Sequence, residues 1–280
     1  MKVQNFFVAL FLIVFISSCN QDDKKELTLD EIANVIEVIY SDEVFNEVDA
    51  DVEDDVEELD SKDYVSSSSK SAGNEVNITI SQGTFPKTIT FDYGSGFTRY
   101  TLSGTDSIVK KGTVTAVLSD TLRKTGSEMT ITYGDDFYVN DVKVEGERKL
   151  TNLGISDSTI SYSVEVKNGK LTTPEGLTYT RETTQQRVWK GNTPLNWQDN
   201  ELTITGTATG TNWFDQKYTR TVTEELQLKR CVNQFYRWTI IKGKMNIEID
   251  YKTYLVDFGT GDCDRIVEVS TENASRSVRY

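Results

Sequence analysis

Apolar positions follow three different rhythms along this chain. From Phe6 to Ile16 they are continuous, reading FFVALFLIVFI, with Lys2 the only charged side chain before them. Between residues 29 and 59 they recur at three- and four-residue steps: Leu29, Ile32, Val35, Ile36 and Ile39, then Val44, Val48, Val52, Val56 and Leu59. From Asn74 onward they alternate with polar residues in short runs such as EVNITI, KTITFDY, EMTITY, ISYSVEV and RTVTEELQLK. The second rhythm predicts an amphipathic helix and the third predicts strands. The first is eleven residues long, about 16 Å as a helix, roughly half of a ~30 Å hydrocarbon core and too short to span it.

The strand runs are separated by turn chemistry. Asn140-Asp141 lies between FYV and VKVEG, Asn168-Gly169 between SVEVK and KLT, and Lys242-Gly243 between RWTII and KMNIEID. Each pair predicts a tight turn, the Asn-led pairs because they tolerate positive φ. Successive hairpins favour antiparallel neighbours, since parallel pairs need long crossovers. The expected fold class is all-β: an antiparallel meander forming a large sandwich or an open, curved sheet, preceded by an acidic helical or disordered segment. A membrane-spanning barrel would need outward faces that stay apolar for about ten residues per strand. Runs such as TRYTLSG and EGERKLTN are polar on both faces, so a soluble sheet is expected.

Charge sharpens this division. The formal charge of −14 is concentrated in residues 19–73, which hold eighteen Asp/Glu against four Lys/Arg, whereas 74–280 hold 26 against 25. A nearly neutral body without a basic stripe argues against nucleic-acid partners. Within the acidic segment, Thr28-Leu29-Asp30-Glu31 fits a capping box that would start the helix. Its second half is poorly suited to stand alone, because residues 41–60 contain eleven acids and no base. Like charges at i,i+4 each cost a few tenths of a kcal/mol. The expectation is a solvated stalk that lifts the domain from a membrane; folding on a partner or on the body, and a spacer collecting divalent cations, are the alternatives. SSSSKSAG (residues 66–73) reads as a flexible linker. The chain thus divides into a signal segment (1–18), an acidic helical or disordered stalk with a Ser-rich linker (19–73), and an antiparallel β domain (74–280).

The apolar run at the N-terminus matches the central region of a secretory signal. It ends in Ile16-Ser17-Ser18-Cys19, which resembles a bacterial lipobox, and Cys19 is then the residue expected to carry lipid. A buried acyl chain contributes ~0.8 kcal/mol per CH₂, and stable anchoring needs more than one chain. Gln21-Asp22-Asp23 resembles the acidic export tract that follows the lipidated cysteine in surface lipoproteins of the Bacteroidota.

One phrase occurs twice: Lys87 to Gly96 reads KTITFDYGSG and Lys252 to Gly261 reads KTYLVDFGTG. Both run from a strand into Asp-aromatic-Gly-x-Gly, where the aspartate can accept backbone amides and the glycines adopt angles other residues resist. Together with the lipobox and the acidic segment, FPKTITFDYGSG, FYVNDVKVEGERKLTN and DFGTGDCD make nearly the whole chain resemble the surface-exposed lipoproteins of the Bacteroidota. The resemblance implies an outer-membrane, lipid-anchored protein, placed at the cell surface; its motifs specify a fold and no activity. In that group a cysteine often follows the first Asp-aromatic-Gly-x-Gly copy. Phe97 and Thr98 stand there in this chain, so any pairing through that position is absent.

Candidate chemistry is sparse. With no histidine, Ser-His-Asp and Cys-His catalysis and histidine-based zinc sites are excluded. Outside the inner membrane, Cys231 and Cys263 suggest a disulfide, worth roughly 3.7 kcal/mol on chain entropy for a loop of about 33 residues; two buried thiols are the alternative. Asp257, Asp262 and Asp264 offer oxygen ligands for Ca²⁺, but their spacing is not an EF-hand loop and turn aspartates more commonly cap their own backbone. Trp197, in GNTPLNWQDN, is the tryptophan best placed to stack on a sugar or anchor a protein, with packing as the alternative; Trp189, Trp213 and Trp238 lie in or beside strand patterns and are expected in the core. No cofactor is expected. The expected role is non-catalytic binding of a glycan or protein, or a structural role in the envelope, with a carboxylate-based glycan hydrolase as the alternative.

Overall fold

The computed structural model describes residues 26–61, 68–71, 74–100, 107–156, 159–190, 201–231 and 238–280. Among the described residues a single long helix, α1 (Leu29–Ser61), precedes every strand. The first group of strands is β1 (Ser68–Ser71), β2 (Asn74–Ile80), β3 (Lys87–Asp92), β4 (Phe97–Tyr100), β5 (Ser107–Lys111), β6 (Thr113–Leu118), β7 (Glu128–Tyr133) and β8 (Tyr138–Val139). Longer strands follow: β9 (Val142–Ser156), β10 (Thr159–Thr172), β11 (Thr178–Lys190), β12 (Glu201–Thr211), β13 (Lys217–Lys229), β14 (Thr239–Ile249) and β15 (Lys252–Thr260), then β16 (Ile266–Ser270) and β17 (Ser275–Arg279).

Every pairing among the described residues is antiparallel. From β9 to β17 each strand pairs with the next, a plain meander. On the other flank the order is β1-β2-β3-β6-β7-β9, and the short β4-β5-β8 ribbon joins the beginning of β9 beside β7. The sheet is open, with β1 and β17 each paired to one neighbour. Of the two architectures expected from the sequence, the open curved sheet is the one formed.

Curvature comes from positions expected to be turns. Asn140-Asp141 does form the β8–β9 turn, with φ of 49° and 65°. Asn168-Gly169 and Lys242-Gly243 instead lie inside continuous strands, where the pairing register slips as it does at a β-bulge. A positive φ serves a bulge as well as a turn, and a bulge bends the strand and increases its twist. Asn168 has φ 52°, and a Cβ on Gly169 would stand 2.8 Å from the Arg181 carbonyl oxygen of the adjoining strand. Gly243 has φ 108°, and a Cβ there would overlap the Glu225 carbonyl. The repeated phrase behaves the same way in both copies. Asp92 Oδ1 accepts from Gly94 N and Asp257 Oδ1 from Gly259 N, each at 2.8 Å, and the aromatic between them, Tyr93 or Phe258, is buried.

The curved sheet encloses α1. The helix begins with the capping box expected from the sequence: Thr28 N donates to Glu31 Oε2 at 2.8 Å and Glu31 N to Thr28 Oγ1 at 3.3 Å. Ile32, Val35, Ile39, Val44, Val48, Val52, Val56 and Leu59 are buried and belong to the same apolar cluster as the inward residues of the sheet. The expected solvated stalk is therefore corrected. Over residues 41–53 every side chain except Asn46 is buried, acids included. A helix with that many carboxylates could not enter an apolar core, so the sheet must meet it with cations.

Candidate functional site

The cations arrive from strands distributed around the sheet. Within a strand, side chains two apart share a face, so Arg148 points inward with Val144 and Leu150, Lys110 with Ile108, and Arg220 with Tyr218. On β11 the inward face is Tyr179, Arg181, Thr183, Gln185 and Arg187, all buried, and it ends in Trp189, which packs against the core. These side chains reach the helix in order along its axis. Arg181 Nε and Arg220 Nε lie 3.3 Å and 3.0 Å from the two oxygens of Asp42, and Arg265 Nη2 lies 2.6 Å from Glu43. Arg99 donates to Glu47 and Lys110 to Asp51. Arg148 bridges two helical turns, with Nε 2.9 Å from Asp49 Oδ2 and Nη2 donating to Glu53. Arg187 Nη2 donates to Asn46 Oδ1 at 2.8 Å while its Nη1 stands 3.5 Å from Glu53. Near the C-terminal end, Arg230 Nη2 donates to both oxygens of Asp54 at 2.7 and 2.9 Å.

Burial dominates the electrostatics of this axis. It pushes Glu43 up to about 7, against the pull of Arg265 and with Asp42 and Glu47 acting in the same upward sense. Burial likewise raises Glu37 to about 7, opposed by the hydrogen bond from Trp213 N, and Glu57 to about 7, opposed by Arg123. Arg187 falls to about 10 through burial and the neighbouring Arg148 guanidinium. Carboxylates raised to this range are what a general acid needs, but Glu43 is held by an arginine inside the core. A void beside Asp42, between the helix and the inner faces of β11–β14, has room for about one water molecule and no sugar ring.

The helix N-terminus lies at the end of the sheet formed by three hairpin tips. These are the β10–β11 turn (173–177), the β12–β13 turn (212–216) and the β14–β15 turn (250–251). Lys252 donates to Glu31, Trp213 N donates to Glu37, and Arg276 Nη1 donates to the Leu27 carbonyl at 3.2 Å. The first of these holds Glu31 at about 2, helped by backbone and hydroxyl hydrogen bonds from Thr28.

Other residues singled out in the sequence have plain positions. Cys231 and Cys263 are joined in a disulfide with Cα atoms 5.8 Å apart, tying the end of β13 to the β15–β16 loop. Asp257 and Asp264 accept from backbone N–H groups two residues ahead, and Asp262 faces the Thr260 hydroxyl at 3.5 Å. No cluster of three or more metal-ligating side chains forms among the described residues. Trp238 is buried and meets Trp189 edge-on at 5.0 Å, and Trp213 packs against the core, as expected. Cys19 and Trp197 lie outside the described residues.

Among the described residues no helix is long and apolar enough to cross a membrane. The architecture defines the class: an antiparallel sheet curled around one acidic helix. No protein-family model, curated protein or solved structure matches the chain.

Proposed function

We propose that this chain is a surface-displayed outer-membrane lipoprotein, held by acyl chains on Cys19, whose folded part is a non-catalytic body for glycan or protein binding or for envelope structure. The carrying observation is the eleven-residue apolar run closing on Ile16-Ser17-Ser18-Cys19 and followed by Gln21-Asp22-Asp23. The folded body supports the reading in two ways. Its helix starts ten residues after Cys19, so the sheet would stand directly on a short tether. The upward-shifted carboxylates of the helix are committed to packing, which weakens the hydrolase alternative.

Growth on labelled palmitate is the test. The native chain is expected to take up label and sediment with membranes, and Cys19→Ala to lose the label and leave the membrane fraction. External protease should reach the folded body on intact cells. A native chain that stays unlabelled, or a Cys19→Ala protein that still sediments with membranes, refutes the anchor.

A further inference from the structure

Both ends of the curled sheet show apolar side chains to solvent. At the end where α1 begins, the tip residues Phe214 and Tyr251 are 63% and 97% exposed, and Leu29 and Leu177 are also exposed. These belong to neighbouring hairpins: Thr180 Oγ1 and Thr211 Oγ1 lie 2.8 Å apart between β11 and β12, and Tyr218 of β13 pairs with Ile249 of β14. Leu29, the first residue of α1, lies at the same end of the sheet, where Lys252 next to Tyr251 donates to Glu31. Asp250 and Tyr251 together make the β14–β15 turn with φ of 46° and 71°, a conformation that favours Asn or Gly over an aromatic residue, and Asp215 beside Phe214 has φ 59°, so neither ring is what its turn requires. At the opposite end, Leu153 and Ile155 on β9 are also exposed.

Chain length decides which end can meet a membrane. Seven peptide steps separate Cys19 from Glu26, a reach of at most ~25 Å. The 33-residue helix is about 50 Å long, so the end bearing Leu153 and Ile155 stands roughly that much farther away. Resting on the Cys19 anchor proposed above, we infer that the rim formed by Phe214, Tyr251, Leu177 and Leu29 is a lipid-facing surface that seats the body on the bilayer holding the anchor. Aromatic rings on polar hairpins suit the headgroup level, where one side is apolar and the other wet. The acids beside them, Asp215, Asp250 and Glu175, limit the contact to the rings at the tips. The body then stands upright, with the helix axis along the membrane normal and the outward strand faces left open to solvent.

The test uses the full lipidated chain purified from membranes and reconstituted into phosphatidylethanolamine–phosphatidylglycerol vesicles. With Cys19 acylated and Cys231 bonded to Cys263, a single introduced cysteine is the only free thiol. Phe214→Cys, Tyr251→Cys and Ile155→Cys proteins are labelled with an environment-sensitive fluorophore. Labels at 214 and 251 are expected to shift to the blue on vesicles and to be quenched at least twofold more by headgroup-nitroxide lipid than the label at 155. Vesicle-bound protein whose three labels report the same aqueous surroundings overturns the lipid-facing rim while leaving the anchor intact. Labels at 214 and 251 that become shielded only when a polysaccharide or protein is added overturn it in favour of a ligand surface. Protein that carries no lipid and does not join vesicles overturns the anchor itself, and the rim with it.

Discussion

Arg148→Met is expected to remove about 3–5 kcal/mol of folding stability, because it leaves Asp49 and Glu53 buried with one fewer cation. Methionine keeps an unbranched apolar stem in the space between β9 and the helix, so cavity formation contributes little. The loss is therefore electrostatic. Arg187 stands 3.5 Å from Glu53 and covers part of the deficit there, and Tyr133 Oη still donates to Asp49 at 3.1 Å. Neither group supplies the second full charge that the pair of carboxylates requires. Urea denaturation read by circular dichroism measures the loss. Adding Asp49→Asn to the same protein should restore most of it, since Arg187 is then left opposite the single carboxylate of Glu53. Lys149→Met is the control: Lys149 is the next residue on β9, faces outward, and pairs with Glu128 at 2.7 Å on the surface. Its midpoint should hardly move. An Arg148→Met protein as stable as the native one would mean that the helix acids do not depend on the sheet for their charge balance.

The same balance explains how a helix made of valine, aspartate and glutamate comes to lie in a core. Replacing buried ion pairs by apolar residues is often neutral or stabilising, so the pairs are poor evidence for stability as such. What they do provide is position. Arg181 and Arg220 converge on Asp42, Arg265 on Glu43 and Arg148 on Asp49 and Glu53, so a one-residue slide or a rotation of α1 would strand several charges at once.

Much of this was legible in the sequence, and the illegible part has a definite cause. The alternating runs gave the strands, the capping box gave the start of the helix, and the two late cysteines gave the disulfide. Asn168-Gly169 and Lys242-Gly243 misled because a backbone that needs positive φ looks alike at a hairpin and at a bulge. The stalk expectation failed for a different reason. The summed charge of 74–280 is close to zero, and a sum cannot show that arginines stand inward while acids stand outward. The signal was present in the phase of the pattern: Arg148 shares parity with Val144 and Leu150, and Arg220 with Tyr218. On β11, TYTRETTQQRVWK has hardly any apolar face, which a sheet tolerates only opposite something charged. The exposed rings at 214 and 251 were not singled out, because two turn residues 37 positions apart in the sequence become neighbours only once β13 and β14 are paired.

Stability of this acidic protein is expected to fall, not rise, as pH increases from about 5 to 8. Glu43 titrates near 7 in the folded chain and near 4.5 when unfolded, because burial disfavours its charge more than Arg265 favours it. Between those values the folded chain holds a proton that the unfolded chain has released, so raising the pH draws the equilibrium toward unfolding. At ~1.4 kcal/mol per pKa unit, Glu43 alone accounts for about 3 kcal/mol across the window. Glu37 and Glu57, also raised to about 7 by burial, act in the same direction. Below about pH 4.5 the sign reverses, because Glu31, held near 2 by Lys252 and Thr28, loses its contribution as it is protonated. Melting followed by circular dichroism should therefore peak near pH 5 and drop by pH 8, with Glu43 alone contributing roughly 6–12 °C. Glu43→Gln should flatten a large part of that slope, since a glutamine keeps the hydrogen bond from Arg265 without a proton to lose. A melting temperature that climbs steadily toward pH 8 would mean that Glu43 is ionised well below neutrality, and that the arginines around the helix outweigh its burial.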